Sequence, residues 1–172
     1  MAEPLADQIV WKIKQAAELY HRLMLAVAPA GAGKTTALKE VQERIGAPLI
    51  NVNLELSRRM LDLTERQRAL QLPRLLREIM NDIAGDLPAE GSAQAGVVLF
   101  DNIEILFDVS LKQDPLRLLQ GLSRNKTVVA AWNGSIDGDH MIYAVPDHPE
   151  YRRYMVRDFL VVSSDLPAGR QG

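Results

Sequence analysis

Apolar residues recur along this chain in two rhythms. Between residues 4 and 22, Leu5, Ile9, Ile13, Ala16, Ala17 and Tyr20 return at intervals of three and four, the period that gives a helix one apolar face. Pro4 suits the first turn, where its missing N–H costs nothing. Residues 23–27, LMLAV, are an unbroken apolar run and read as a strand. Residues 36–45 return to the helical period and are closed by Gly46 and Pro48, before a short strand over 49–52. Residues 54–70 are rich in helix formers and carry Leu54, Leu56, Met60, Leu61 and Leu63. Pro73 is expected to break this stretch and to open a new helix. The face of that helix is Leu72, Leu75, Leu76, Ile79, Met80 and Ile83, at offsets 0, 3, 4, 7, 8 and 11.

The second half repeats the alternation. Residues 85–96 have almost nothing to bury and read as a loop, after which VVLF at 97–100 runs as a buried strand into Asp101. Asp114 and Pro115 have the form of an N-cap and first turn for a helix carrying Leu116, Leu118, Leu119 and Leu122. TVVAAW at 127–132 is another buried strand, stopping at Asn133-Gly134. Residues 135–158, with Gly138, Pro146 and Pro149, read as turns, and 159–162 as a last strand. Five apolar runs separated by helical patterns predict an α/β fold. The expected core is a five-stranded, mostly parallel sheet with right-handed crossovers, flanked by helices. It makes one domain over 1–165 with a loose tail at 166–172, and no internal repeat is present.

The junction between the first strand and the second helix carries the chemistry. Residues 28–35, APAGAGKT, fit the spacing of the phosphate-binding loop G-x-x-x-x-G-K-[ST], with Ala28 where the pattern has its first glycine. Gly31 and Gly33 lack Cβ, so the backbone can take positive φ and aim successive N–H groups at phosphate oxygens. The N-terminus of the following helix adds orphan N–H donors and the positive end of its dipole. Pro29, Ala30, Gly31, Ala32, Gly33, Lys34, Thr35 and Thr36 are therefore the expected cofactor-binding stretch. Lys34 is placed at the β- and γ-phosphates, and the Thr35 hydroxyl on Mg²⁺, which prefers hard oxygen ligands. The expected cofactors are ATP and Mg²⁺.

Composition narrows the picture without redirecting it. The chain has 172 residues, 47% of them hydrophobic, which is enough for one sizeable core. Twenty Lys and Arg against 22 Asp and Glu give a formal net charge of −2, so no overall field draws nucleic acid or anionic lipid. The arginines of 58–77 are interspersed with acids, which favours a solvated helix surface over a nucleic-acid stripe. There is no cysteine, hence no disulfide or thiolate metal site. No apolar run approaches the ~20 residues of a membrane span, and the first residues lack a basic-then-apolar signal. A soluble, cytoplasmic protein is the expectation.

A phosphate loop on such a sheet needs partners at the carboxyl ends of neighbouring strands. Asp101, at the end of VVLF, is read as the second carrier of the metal, opposite Thr35, with a strand-capping aspartate as the competing reading. Many ATPases with an extra strand between the two Walker strands resemble this pattern but place a glutamate directly after that aspartate, to orient water. Asn102 stands there instead, and an amide is a poor base. Glu104 is the other carboxylate in reach, either as the water-orienting group or as a cap. Asn133 resembles the polar residue called sensor 1 in AAA-like ATPases, against the alternative of a turn-forming Asn-Gly pair. Arg152 and Arg153, in PEYRRY, stand where AAA-like ATPases often present an arginine to a neighbouring subunit, a role that requires a homo-oligomer; the plainer reading is surface charge.

Three stretches, NVNLELSRRMLDLTERQRALQLPRLLREI, LFDNIEILFDVSLKQDPLRLLQGLSRNKTVVAAWNG and HPEYRRY, together resemble BrxF, the family of small P-loop proteins of type-3 BREX phage-defence systems. The likeness covers most of 51–162. The phosphate loop, the strand pattern and the loose stretch after the fifth strand make the expected fold a P-loop NTPase with a minimal AAA-like (ASCE) core and no C-terminal lid. The resemblance implies an NTP-binding component among other BREX defence proteins, in a system that methylates host DNA and blocks phage replication; with Asn102 in place of the glutamate, the expectation is a slowly hydrolysing ATPase. The alternative is a non-hydrolysing nucleotide-binding docking or switch module. No methyltransferase, nuclease or helicase motif is visible, so those activities fall to partners, while direct DNA contact is left open by the residues.

Overall fold

The computed structural model describes residues 4–84 and 96–163. The expected tail at 166–172, and all but the last residue of the expected loop at 85–96, lie outside the described residues. Strands β1 (Leu23–Ala28), β2 (Leu49–Asn51), β3 (Val97–Asp101), β4 (Thr127–Asn133) and β8 (Leu160–Ser163) form a five-stranded sheet in the order β2-β3-β4-β1-β8. Every pairing is parallel. The five expected strands are all present, their ends shifted by a residue.

Strand alternation divides the core in two, because successive side chains leave opposite faces of a sheet. Leu23, Leu25 and Val27 of β1, with Val98 and Phe100 of β3 and Val128, Ala130 and Trp132 of β4, face one core. Met24, Ala26, Val97, Leu99, Val129 and Ala131 face the other. The second core is covered by α1 (Leu5–Ala16) and α2 (Lys34–Ile45), through Ile9, Ile13, Leu38 and Val41. The first is covered by α3 (Val52–Met60), α4 (Glu65–Ala84) and α5 (Pro115–Leu122). Ile9, Leu38 and Leu56 are fully buried, each contributing about 1.5–3 kcal/mol of transfer free energy. A charge at Leu38 would have no partner between α2 and the sheet.

Three expectations are corrected. Helix α1 stops at Ala16, and Tyr20, expected on its apolar face, is 72% exposed. Pro73 does not open a helix but lies inside α4. That helix starts earlier because Thr64 and Gln67 cap each other: Gln67 N–H donates to Thr64 Oγ1 at 3.2 Å and Thr64 N–H to Gln67 Oε1 at 2.9 Å. Proline at 73 supplies no N–H for the carbonyl of Ala69. The Gln113 side chain does so instead, donating from Nε2 at 2.7 Å.

The third correction concerns 135–158. These residues are not only turns but hold a second, antiparallel sheet of β5 (Ser135–Asp137), β6 (His140–Tyr143) and β7 (Arg152–Met155). It is fastened to the main sheet by aromatic packing. Tyr143 stacks on Phe107 at 3.6 Å between centroids, and Trp132 of β4 meets Phe107 and Tyr154 edge-on at 5.1 and 5.8 Å. Helix α5 begins as the sequence indicates, with Asp114 Oδ1 accepting from Leu116 N–H and Arg117 N–H; it also accepts from the Tyr154 hydroxyl.

Candidate functional site

Because β4 lies between β1 and β3, the carboxyl ends of these three strands meet on one edge of the sheet. Each delivers one part of a cavity of about 360 Å³. The loop after β1 contributes Ala30, Gly31 and Gly33, and the first turn of α2 contributes Lys34, Thr35 and Thr36; the end of β3 and the turn after it contribute Asp101, Asn102 and Glu104; β4 contributes its last residue, Asn133. Of the expected stretch, Pro29 and Ala32 do not line this cavity.

Gly31 and Gly33 have φ of 80° and 92°, the left-handed region in which a side chain is strained, and Gly33 is the N-cap of α2. This curl sends the chain straight into α2, so Lys34 and Thr35 are its first two residues. Lys34 is 6% exposed and its Nζ donates to the carbonyls of Ala28 and Pro29, both at 2.8 Å. Burial holds its pKa below the ordinary lysine value, against the opposing pull of Glu104 and Asp101. Each of those carbonyls has a second donor: Gly134 N–H reaches Ala28 O at 3.1 Å, and Ala32 N–H reaches Pro29 O at 3.2 Å.

The Thr35 hydroxyl donates to Asp101 Oδ2 at 2.6 Å, and Asn102 N–H to Asp101 Oδ1 at 2.9 Å. Both oxygens of the carboxylate are thereby oriented, and the group is 7% exposed. Two hard oxygen groups side by side suit a divalent cation such as Mg²⁺. Among the described residues no cluster of three or more His, Cys, Asp or Glu could hold a metal. A cation at Thr35 and Asp101 would draw its remaining ligands from water and a bound anion.

Asn102 has φ 56° and ψ 51°, left-handed for a non-glycine residue, a conformation that asparagine tolerates better than most. Its carbonyl accepts from Asn53 N–H at 3.1 Å, which ties this turn to α3. The 3₁₀ turn Ile103–Phe107 then buries Ile103, Leu106 and Phe107, leaving Glu104 at the cavity. Burial raises the Glu104 pKa, and repulsion from Asp101 adds to this, while a backbone hydrogen bond and Lys34 oppose it. Asn133 pairs in register with Ala28, which fixes it beside the start of the loop.

Arg152 and Arg153 stand apart from this cavity. Both lie on β7, where Arg153 faces Asp137 at 3.6 Å and Arg152 donates to the carbonyls of Tyr151 and Gln113 at 3.4 and 3.5 Å. Sequence reasoning missed a second cavity of about 440 Å³, between Pro29, Ala30 and Asn133 on one side and Tyr143, His148 and Glu150 on the other. Its signal was present: the pair Gly138-Asp139 separates two alternating runs, as in a two-residue hairpin, and Gly138 has φ 62°.

Compared with models of known protein families and with curated proteins, the chain matches none. The coordinates define an α/β architecture: a five-stranded parallel sheet flanked by helices, with a glycine loop, a buried lysine and an oriented carboxylate at its carboxyl edge. Among the described residues, no helix is long and apolar enough to cross a membrane.

Proposed function

We propose that the protein is a P-loop NTPase that binds ATP with Mg²⁺ and hydrolyses it slowly. The observation that carries this reading is the 2.6 Å hydrogen bond from Thr35 to Asp101. It brings together two groups 66 residues apart, the two that a phosphate-bound metal needs, beside a loop whose spacing fits phosphate. The residues present fit both ligands: glycines with positive φ for the anion, hydroxyl and carboxylate for the cation. When bound, Mg²⁺ neutralises charge on the phosphate oxygens. Lys34 turns its ammonium from the carbonyls of Ala28 and Pro29 to the β- and γ-phosphates. Glu104, its carboxylate made more basic by burial, orients the attacking water and takes up its proton; the Asn102 and Asn133 amides hydrogen-bond the water and the terminal phosphate.

The order β2-β3-β4-β1-β8, with β4 between the loop strand and the Asp101 strand, supports the AAA-like (ASCE) form of the reading. The resemblance of three stretches, covering most of 51–162, to the BrxF family supports a place in a BREX-type anti-phage system, alongside other defence proteins. Release of phosphate from ATP and GTP, measured for the protein alone and with those proteins, tests the enzyme; calorimetry with ATP tests the site. Slow release that partners accelerate is the expected result. Absence of calorimetric binding overturns the nucleotide reading. A second reading, a nucleotide-gated docking module without turnover, is favoured by Asn102 where many ATPases of similar pattern carry glutamate; binding without release in any mixture selects it.

A further inference from the structure

The carbonyl of Ala28 is a junction between the glycine loop and a part of the molecule that nucleotide chemistry leaves unused. It accepts from Lys34 Nζ at 2.8 Å and from Gly134 N–H at 3.1 Å, filling both lone pairs. Gly134 is in turn wedged against β6: a Cβ on it would lie 1.9 Å from the carbonyl oxygen of Ile142. That same oxygen accepts from the Trp132 indole Nε1 at 3.2 Å. Trp132 is fully buried and edge-on to Phe107, Tyr143 and Tyr154, so its ring holds both β6 and β7. Asn133 stands between these two anchors.

We propose that Trp132 and Gly134 are positioning residues that couple the glycine loop to the β5–β7 sheet, so that the sheet shifts whenever an anion occupies the loop. The inference rests on the nucleotide-binding reading. When Lys34 swings to a phosphate, Ala28 O loses its charged donor and keeps only Gly134 N–H, and the balance of forces on the 132–134 segment changes. Gly134 cannot move without pushing Ile142, and Ile142 is tied to the indole. The second cavity, walled by Pro29 and Ala30 on one side and by Tyr143 on the other, gives the loop room to move against the sheet.

The chain contains two tryptophans, and Trp11 is 82% exposed, so Trp11→Phe leaves Trp132 as the sole indole. ATP with Mg²⁺ is expected to shift the emission of that variant. In the unaltered protein it is expected to change deuterium exchange at backbone amides of 135–143 and 152–155. Trp132→Phe retains a ring but not the donor to Ile142 O; it should keep ATP affinity within about threefold on calorimetry, yet lose most of the exchange change in 140–143. Calorimetric binding with unchanged emission and exchange overturns the coupling and leaves the nucleotide reading standing. An exchange change that persists in Trp132→Phe overturns the assignment to the indole. No calorimetric binding removes the nucleotide reading, and the coupling with it.

Discussion

Lys34→Ala separates a binding role from a folding role, because the geometry assigns the two effects different sizes. A lysine ammonium on phosphate oxygens is a charge-assisted contact, and such hydrogen bonds contribute about 1.5–3 kcal/mol. Its loss should weaken ATP binding roughly 10- to 150-fold, at 1.4 kcal/mol per decade. Stability should hardly move. Ala28 O keeps Gly134 N–H and Pro29 O keeps Ala32 N–H, so truncation orphans no acceptor, and a shift within about 1 kcal/mol corresponds to ~2–4 °C in a chain of this size. Burial lowers the Lys34 pKa, so between its folded value and 10.5 the unfolded chain binds more protons and stability rises with pH. That rise should vanish in the variant. Calorimetry with ATP and thermal melts over an alkaline pH series measure all three effects. Unchanged affinity would remove the anion from this loop, and a collapse in melting temperature would show that the carbonyls depend on Lys34 after all.

Asp101→Ala should retain ATP binding without metal but lose its strengthening by Mg²⁺; a titration in which Mg²⁺ still tightens binding would place the cation on another carboxylate. Asn102→Glu should raise turnover, within the ~10²- to 10⁴-fold of general-base catalysis, while costing about 1–2 kcal/mol for a left-handed glutamate. If it changes nothing and Glu104→Gln abolishes phosphate release, Glu104 alone orients the water. The raised Glu104 pKa means the folded state binds more protons from pH 4.5 up to its folded value, so stability falls as pH rises through that window. Glu104→Gln should flatten that fall in melts between pH 4 and 8, and an unaltered slope would refute it. Gln113→Ala should cost about 0.5–1.5 kcal/mol by removing the donor to the half-buried Ala69 O. In a Pro73→Ala background the restored N–H should make it nearly neutral in urea unfolding, and equal costs in both backgrounds would break the link.

The main sheet was legible because burial on both faces leaves unbroken apolar runs, as in LMLAVA and VVLF, and their sequence positions predicted parallel pairing. The candidate site was legible because a glycine loop constrains its own spacing and Asp101 terminates a strand. Local pattern could not show how distant groups compensate. Pro73 looked like a helix boundary because its rescue comes from Gln113, forty residues on. The β5–β7 sheet was missed because its strands are only three or four residues long, so that Gly138-Asp139 was the one local mark of the hairpin. The left-handed backbone of Asn102 and the self-ligation of Lys34 depend on neighbours that only the fold assembles.

The placement of β4 between β1 and β3 has a consequence for the order of assembly. Synthesis completes β1 and β3 before β4, the strand that must separate them, has been made. Any parallel ladder formed early between β1 and β3 would have to open before β4 could take its place between them. Until then Lys34, Asp101 and Asn133 share no edge, and the glycine loop stands without its partners from β3 and β4. Under the nucleotide reading, ATP would therefore stabilise molecules in which β4 is already in place, by mass action on the folded state alone.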